Sequence, residues 1–324
     1  MEKNLYEAFQ TSNDVIFADL AEPIEKIFRK HCSEMSEFDL LDKNVNKNKL
    51  NLYTIVYEEI PNMTDQFECL DNYSNERPDW REYWPIRNFI ISNSIKDNEY
   101  YGFFSPKFFD KTGLNKEQVL NFCRKNIGNY DVISFSPQYD QSVIFKNVFD
   151  QGNYHHPGLY QAAVIFLNEI GEDLEVLNKL SVVENSIFSN YFVASGRFIR
   201  EWFNLTEKLF QICEELKSRA GQILTKKDSY MDQNLEFKVF VMERVCAYVL
   251  DRGAFTCRRY PPLKMGFPTI WLDSVEKLLR ASNLKAIFSK TQNYEILKAY
   301  NRTSIDLIGL WERKLTDMFE TNRS

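Results

Sequence analysis

Three short apolar stretches in the first half of the chain constrain its fold most, because each has the composition of a buried β-strand. They are rich in β-branched and aromatic residues, and polar residues or a proline bound them. The candidate strands are LNLYTIVY (50–57), EYYGFFSP (99–106) and YDVISFSP (130–137). A helical pattern over 116–126 separates the second strand from the third. This alternation predicts a sheet flanked by helices, and therefore an α/β fold.

The rest of the chain has mostly helical periodicity. Residues 139–170 follow a helical pattern that the turn QGNYHHPG (151–158) interrupts. The loop-like stretch 58–80 contains prolines and several asparagines, and a helix is predicted to begin in 80–92. The later helical segments are predicted at 182–219, 235–251, 272–288 and 294–320. We therefore expect a helix-rich C-terminal half.

The chain has 324 residues, which allows one large domain or two small ones. Two domains meeting near residue 175 are the alternative, but no stretch with the composition of a flexible linker separates the halves. We predict an N-terminal helical segment (1–45), a main domain (46–260) and a C-terminal helical extension packed on that domain (261–324).

Composition narrows the classes of partner. The net charge of −6 argues against a nucleic-acid-binding protein, which needs a basic surface to displace phosphate counterions. Aromatic residues make up 15% of the chain, including 26 Phe and 17 Tyr. They either build an aromatic core or line a pocket in which rings stack on a ligand.

The cysteines and the N-terminus indicate where the protein acts. The six cysteines are scattered without a CxxC pair or metal-ligand spacing, as expected of free thiols in a reducing compartment. The N-terminus lacks the basic and apolar regions of a signal peptide. No stretch approaches the roughly 18 apolar residues that span a bilayer. We expect a cytoplasmic protein, and peripheral membrane association stays open.

Several clusters of unusual composition follow one another between residues 50 and 250. Their order resembles that in a group of bacterial glycosyltransferase-like proteins of capsule and O-antigen synthesis. The matching features are Glu82–Trp84, Gly102–Lys107, Asp131–Pro137, His155–His156, Asn190–Phe192 and Glu243–Arg244. The resemblance implies a GT-A-like (Rossmann-like) mixed sheet core flanked by helices. It also implies an enzyme that transfers a sugar from a nucleotide-sugar donor to a glycan or lipid-linked acceptor.

One feature of such enzymes is missing from the sequence. GT-A enzymes carry an Asp-x-Asp motif that holds a divalent cation against the donor diphosphate, and this chain has none. Either other residues bind Mn²⁺ or Mg²⁺, or basic residues neutralise the diphosphate. A third alternative is a non-enzymatic carbohydrate-binding or assembly protein that kept the fold.

The first charged cluster, RPDWREYWPIR (77–87), is the predicted donor site. Guanidinium groups pair bidentately with phosphate oxygens, and Trp side chains stack on bases or sugars. The alternatives are ion pairs with neighbouring acids and aromatic side chains that anchor the core. The candidate donor-binding residues are Arg77, Arg81, Glu82, Trp84 and Arg87.

The end of the second candidate strand adds three donor-binding candidates. Ligands in open α/β sheets bind beyond the carboxyl ends of the strands. Gly102 would allow a ligand to approach closely, Ser105 would contact it, and Lys107 would bind a phosphate. The alternative is an ordinary turn.

His155 and His156 are two of only three histidines in the chain. The resemblance implies a metal or donor-phosphate role for this pair, whereas a purely structural or solvated pair is the alternative. We expect the clusters 77–87, 100–107 and 151–158 to line one cleft at the carboxyl edge of the sheet.

Glu243 lies in an otherwise apolar helical pattern and is the predicted catalytic base. It would accept the proton of the acceptor hydroxyl as that oxygen attacks the anomeric carbon. Pairing with Arg244 is the structural alternative. Rival bases are Glu184, Asp131 and Asp140. The predicted acceptor-binding residues are Asn190, Tyr191 and Arg244.

Overall fold

The computed structural model describes residues 48–58, 67–230, 233–262, 265 and 269–321. The predicted N-terminal helical segment, 1–45, lies outside these residues. The described part is an α/β protein with a mixed six-stranded sheet and a two-stranded hairpin. The strands are β1 (Leu50–Val56), β2 (Glu68–Asp71), β3 (Tyr100–Phe104), β4 (Val132–Ser134), β5 (Phe192–Ser195), β6 (Lys227–Tyr230), β7 (Gln233–Glu236) and β8 (Cys257–Arg259).

The order of strands in the main sheet is β2-β1-β3-β5-β4-β8. Only β5 runs against its neighbours, pairing antiparallel with both β3 and β4. The pairs β1–β2, β1–β3 and β4–β8 are parallel. The carboxyl ends of five strands and the loop that enters β5 therefore meet at one edge of the sheet.

Helices cover the sheet and make up most of the described chain. They are α1 (Tyr83–Ser92), α2 (Phe108–Thr112), α3 (Lys116–Asn126), α4 (Tyr139–Ile144), α5 (Val148–His155), α6 (Leu159–Glu169), α7 (Gly196–Glu215), α8 (Arg219–Leu224), α9 (Phe237–Asp251), α10 (Val275–Thr291) and α11 (Tyr294–Thr321). Among the described residues, no helix is both long and apolar enough to cross a membrane.

Both faces of β3 are buried, and alternate residues face opposite sides of the sheet. Tyr101 and Phe103 belong to one apolar cluster, which includes Ile86 of α1. Phe104 belongs to a second cluster, which includes Val119 of α3. The position of β3 inside the sheet fixes its carboxyl end between two layers of helices.

The C-terminal helices α10 and α11 pack on α4 through a third apolar cluster. Lys285 of α10 is fully buried inside this contact. Its Nζ donates hydrogen bonds to the backbone carbonyls of Ser142 (2.7 Å), Phe145 (2.5 Å) and Lys146 (3.2 Å). The buried amino group thus caps the end of α4 and attaches the C-terminal helices to it.

The elements differ from the sequence prediction at five places. The stretch predicted as one helix, 182–219, contains the strand β5 before α7 begins, and the loop-like stretch 58–80 contains β2. Neither β8 nor the hairpin of β6 and β7 was predicted, and α5 extends through most of the predicted turn 151–158. The missed strands have three or four residues, too few to establish a period.

Candidate functional site

A cavity opens at the carboxyl edge of β3. Its walls are the turn before α1, the end of β3, the helix α2, the loop before β5 and one side of α9. Its interior volume is about 70 Å³, and it opens widely to solvent. The predicted site residues that line it are Arg81, Glu82, Ser105, Asn190, Tyr191 and Glu243. Residues far apart in the sequence are thus brought together where an open α/β sheet binds ligands.

Glu243 contributes a carboxylate that opens on the cavity. It lies on α9, and 42% of its side chain is exposed there, although protein surrounds the rest. Its only ion-pair contact among the described residues is with Arg244, at 3.9 Å, and none of them donates a hydrogen bond to it. Burial raises the pKa of Glu243, while the positive charges of Arg244 and Lys111 oppose that rise. A carboxylate in this environment is available to accept a proton from a ligand.

Arg244 points away from the cavity and is 5% exposed. Its guanidinium donates hydrogen bonds to the backbone carbonyls of Val148 and Phe240 and to Oε1 of Gln151, at 2.8–2.9 Å. These bonds tie α9 to α5. Arg244 therefore does not reach the site proposed for the acceptor, and it orients the helix that carries Glu243.

Arg81 and Glu82 form the wall of the cavity next to α1. Arg81 has a φ of 50° and a ψ of −135°, a conformation that costs free energy in a residue with a side chain. Burial and the nearby Glu82 carboxylate raise the pKa of Tyr57, at the end of β1, to about 12. The segment of Arg81 and Glu82 is therefore both charged and strained where it borders the cavity.

The end of β3 faces the loop that enters β5. Ser105 Oγ and Tyr191 Oη share a hydrogen bond of 2.7 Å. Lys111 of α2 lies with its Nζ 5.9 Å from the centre of the Tyr191 ring. None of the described carboxylates lies within ion-pair distance of Lys111, so its ammonium group is available to a ligand.

Asn190 and Ser189 precede β5, and both adopt the left-handed conformation, with φ of 54° and 59°. Asn tolerates this region better than most residues. Oδ1 of Asn190 is buried and has no hydrogen-bond partner among the described residues. An unpartnered buried acceptor is rare in a folded protein.

Arg77 and Arg87 do not line the cavity. Arg87 forms two hydrogen bonds with the carboxylate of Glu207, at 2.6 and 2.8 Å, and Arg77 does the same with Glu214 at 2.6 and 2.8 Å. Arg77 also binds Asp79. These guanidinium groups therefore form ion pairs, which was the structural alternative in the sequence analysis. They attach α1 and the turn before it to α7.

Trp84, Gly102 and Lys107 also lie outside the cavity lining. Trp84 stacks on Phe210, with ring centres 6.1 Å apart, as a core anchor. Gly102 lies in the middle of β3, and a Cβ there would come within 2.8 Å of the side chain of Val193, so the core requires this glycine. Lys107 is exposed at the N-terminus of α2, one helical turn before Lys111.

His155 and His156 lie at the end of α5, outside the cavity lining. The Nε2 of His155 is 3.2 Å from Oε1 of Gln141, and His156 stacks on Phe240. Burial and the positive charges of His156 and Arg244 lower the pKa of His155 to about 4. In the part of the chain that the structure describes, no three His, Cys, Asp or Glu side chains are grouped to hold a metal ion.

The three rival bases lie elsewhere. Asp131 accepts hydrogen bonds from Arg197 and Thr256. Asp140 is buried and accepts a hydrogen bond from Trp271 Nε1 at 3.0 Å. Glu184 lies in a short 3₁₀ turn, and none of the three lines the cavity. Glu243 and Glu82 are therefore its carboxylates.

Sequence reasoning missed two polar residues of the cavity, Lys111 and Ser189. Lys107 and Lys111 both follow the β3 strand, and only the direction of α2 determines which of them faces inward. Ser189 is brought to the wall by a left-handed turn that no glycine marks in the sequence.

Comparison with protein-family models, with curated proteins and with solved structures found no match. The resemblance to glycosyltransferases therefore remains a prediction from the sequence.

Proposed function

We propose that this protein is a bacterial GT-A-like glycosyltransferase of surface-polysaccharide synthesis, with the cavity at the end of β3 as its active site. It would transfer a sugar from a nucleotide-sugar donor to a glycan or lipid-linked acceptor. The observation that carries the proposal is the Glu243 carboxylate, which opens on the cavity and accepts no hydrogen bond from the described residues. The mixed sheet flanked by helices is compatible with the predicted architecture.

Glu243 supplies the proton acceptor that an inverting transfer needs. The hydroxyl of the acceptor attacks the anomeric carbon, its proton passes to Glu243, and the nucleoside diphosphate leaves with the electron pair of the broken bond. General-base catalysis requires the carboxylate within about 3 Å of that hydroxyl, directly or through one water. Burial raises the pKa of Glu243, which makes it a stronger base than an exposed glutamate once it is ionised.

Arg81 and Lys111 are the cations of the cavity wall, and they replace Arg77, Arg87 and Lys107 as the proposed diphosphate contacts. Charge-assisted hydrogen bonds to phosphate oxygens would stabilise the negative charge that develops on the leaving group. His155 and His156 do not form a cation site with the described residues, and the proposed steps use the protein's own side chains.

A two-stage experiment tests the proposal. A thermal-shift panel of uridine, guanosine and thymidine diphosphate sugars, with and without Mn²⁺, identifies a donor, because a ligand that binds only the native state raises the melting temperature. Release of the nucleoside diphosphate in the presence of an acceptor is then measured for the native protein and for Glu243→Gln. We expect turnover to fall about a hundredfold or more, with donor affinity and melting temperature nearly unchanged.

Glu184→Gln is the matched control, because Glu184 is a rival base outside the cavity. It should retain turnover. A stable Glu243→Gln protein with native turnover would refute the assignment of the base. Binding of donors without any release of nucleoside diphosphate would favour the non-enzymatic carbohydrate-binding protein instead.

A further inference from the structure

The amino group of Lys285 is buried in an apolar contact without a carboxylate partner. Lys285 lies on α10, and its side chain is fully buried where α10 packs on α4. The apolar cluster at this contact includes Val143 of α4 and Leu278 of α10. Among the described residues, no carboxylate lies within ion-pair distance of Nζ. An ammonium group in this position loses its hydration without gaining a counter-ion.

The hydrogen bonds of Nζ suit a neutral amine nearly as well as an ammonium group. Nζ lies 2.7 Å from the carbonyl oxygen of Ser142 and 2.5 Å from that of Phe145, whereas the carbonyl oxygen of Lys146 is 3.2 Å away. A neutral amine has one N–H donor for each of the two shorter bonds, and an ammonium group adds a third donor. Protonation therefore adds only the longest bond, while it brings a full charge into the apolar contact.

Three acids are close enough for their charges to act on Lys285: Asp251 of α9, Asp150 of α5 and Glu184 of the 3₁₀ turn. The Asp251 carboxylate is held by other partners, since it accepts hydrogen bonds from Oγ of Ser181 and Nδ2 of Asn185. Asp150 is exposed. The three acids favour the charged amino group, but burial outweighs them and lowers the pKa of Lys285 to about 7.

Two further polar groups border this contact. The ring centre of Tyr300 on α11 is 5.4 Å from Nζ, and burial raises the pKa of the Tyr300 hydroxyl well above its usual range. Arg259 of β8 donates a hydrogen bond to Oγ of Ser142 at 3.3 Å, and burial lowers the pKa of its guanidinium to about 10. Burial also raises the pKa of Asp251 to about 6. Between about pH 7 and about pH 9, these three groups therefore keep their charge states while Lys285 loses its proton.

We infer that protons control the docking of α10 and α11 on α4: loss of the proton from Lys285 tightens the contact, and gain of that proton loosens it. In detached helices, water would restore the ordinary lysine pKa of 10.5. Between about pH 7 and that value, detached helices bind more protons than docked helices, so docking strengthens as the pH rises. Neither α4 nor α10 lines the cavity, so this device does not depend on the proposed transfer reaction.

Hydrogen exchange of the native protein at several pH values tests the inference. Protection factors of the amides in α10 and α11, corrected for the chemical exchange rate at each pH, report the opening of these helices. The protection factors should rise about ten- to fiftyfold from about pH 7 to about pH 9, because detachment then requires the uptake of a proton. Amides of β1 and β3 should change by less than about threefold over the same range.

Lys285→Met removes the titrating group, so the protection of its α10 and α11 should change by less than about threefold over this range. Lys290→Met, on the exposed side of α10, is the control and should keep the full rise. A carbon-13 titration of the lysine ε carbons needs no variant. In the native protein, one lysine should titrate well below the ordinary value of 10.5.

Protection of α10 and α11 that is independent of pH, or that rises equally in Lys285→Met, would overturn the inference. An equal rise in the sheet would do the same, because the proton would then control global unfolding and not the docking of these helices. If Lys285→Met does not fold, the carbon-13 titration decides. A native protein in which every lysine titrates near 10.5 would overturn the inference.

Discussion

Gly152 of α5 and Arg244 of α9 are in direct contact, and the contact exists only because residue 152 lacks a side chain. A Cβ built on Gly152 would lie 2.7 Å from the Cζ atom of Arg244, well inside van der Waals distance. The guanidinium occupies that space and binds the backbone carbonyl of Val148 and the side chain of Gln151. The helix that carries Glu243 is therefore positioned by a glycine more than ninety residues earlier in the chain.

Substituting Gly152 by Ala should destabilise the protein. The new methyl group displaces the guanidinium from buried partners, and overpacking of this kind costs about 1–3 kcal/mol. Gly309→Ala is the control, because Gly309 lies in α11 with only the end of Arg313 nearby, at 3.5 Å. There the better helix propensity of Ala should stabilise by roughly 0.5–1 kcal/mol. Urea denaturation of both variants measures the difference, and equal stability of Gly152→Ala and the native protein would contradict the contact.

Substituting Arg87 by Ala should lower stability and leave nucleotide-sugar binding unchanged. Arg87 is part-buried in a bidentate pair with Glu207, so its loss leaves a half-desolvated carboxylate, at a cost of about 1–3 kcal/mol. Arg124→Ala, at an exposed position of α3, is the matched control. Denaturation midpoints measure the stability of each variant, and calorimetry measures its affinity for the nucleotide sugar. An Arg87→Ala protein with normal stability and weakened nucleotide-sugar binding would instead show that Arg87 contacts the donor.

The sheet was largely predictable and its short strands were not. The three predicted strands correspond to β1, β3 and β4, because a strand buried on both faces reads as a continuous apolar run. β2, β5 and β8 have only three or four residues each, and their pairing with neighbouring strands makes them part of the sheet. The helical hydrophobic pattern of α7 begins directly after β5, so the sequence around β5 was assigned to the helix.

The sequence predicted residues of the cavity wall where polar residues follow a strand or interrupt an apolar helix. Ser105 and Glu243 are examples of each. The cluster of charges at 77–87 suggested a ligand site for Arg77 and Arg87. Their ion-pair partners on α7, Glu214 and Glu207, lie more than a hundred residues away, so the sequence did not reveal them. Lys111 was missed because the inward side of a five-residue helix depends on tertiary packing.

Substituting Lys285 by Met should detach the C-terminal helices from α4. Met fills a similar volume, but it leaves the carbonyls of Ser142 and Phe145 without their donor inside an apolar contact. We expect a loss of about 2–4 kcal/mol. Hydrogen exchange should accelerate in α10 and α11 before it does in the sheet. Lys290→Met, on the exposed side of α10, should change stability by no more than about 0.5 kcal/mol. Uniform exchange throughout the Lys285→Met protein would show that these helices unfold together with the sheet.

The ionisation of Glu243 should respond in opposite directions to two neighbours in the cavity. Lys111 lowers the pKa of Glu243 and Glu82 raises it, against the larger rise that burial causes. Lys111→Met removes a positive charge that favours the carboxylate, so the pKa of Glu243 should rise. Glu82→Gln removes a negative charge that opposes the carboxylate, so the pKa should fall.

Carbon-13 NMR titration of the glutamate side-chain carboxyl carbons measures these shifts, and the resonance that disappears in Glu243→Gln identifies Glu243. If Glu243 is the base, the acidic limb of the pH profile of kcat/KM should move with it: to higher pH in Lys111→Met and to lower pH in Glu82→Gln. Lys107→Met is the control, because Lys107 is exposed outside the cavity. A Glu243 resonance that titrates identically in all of these proteins would contradict the shared cavity. Shifts of the resonance without any movement of the kinetic limb would confirm the electrostatics and remove Glu243 from the reaction, because the group that limits the rate would then be a different one.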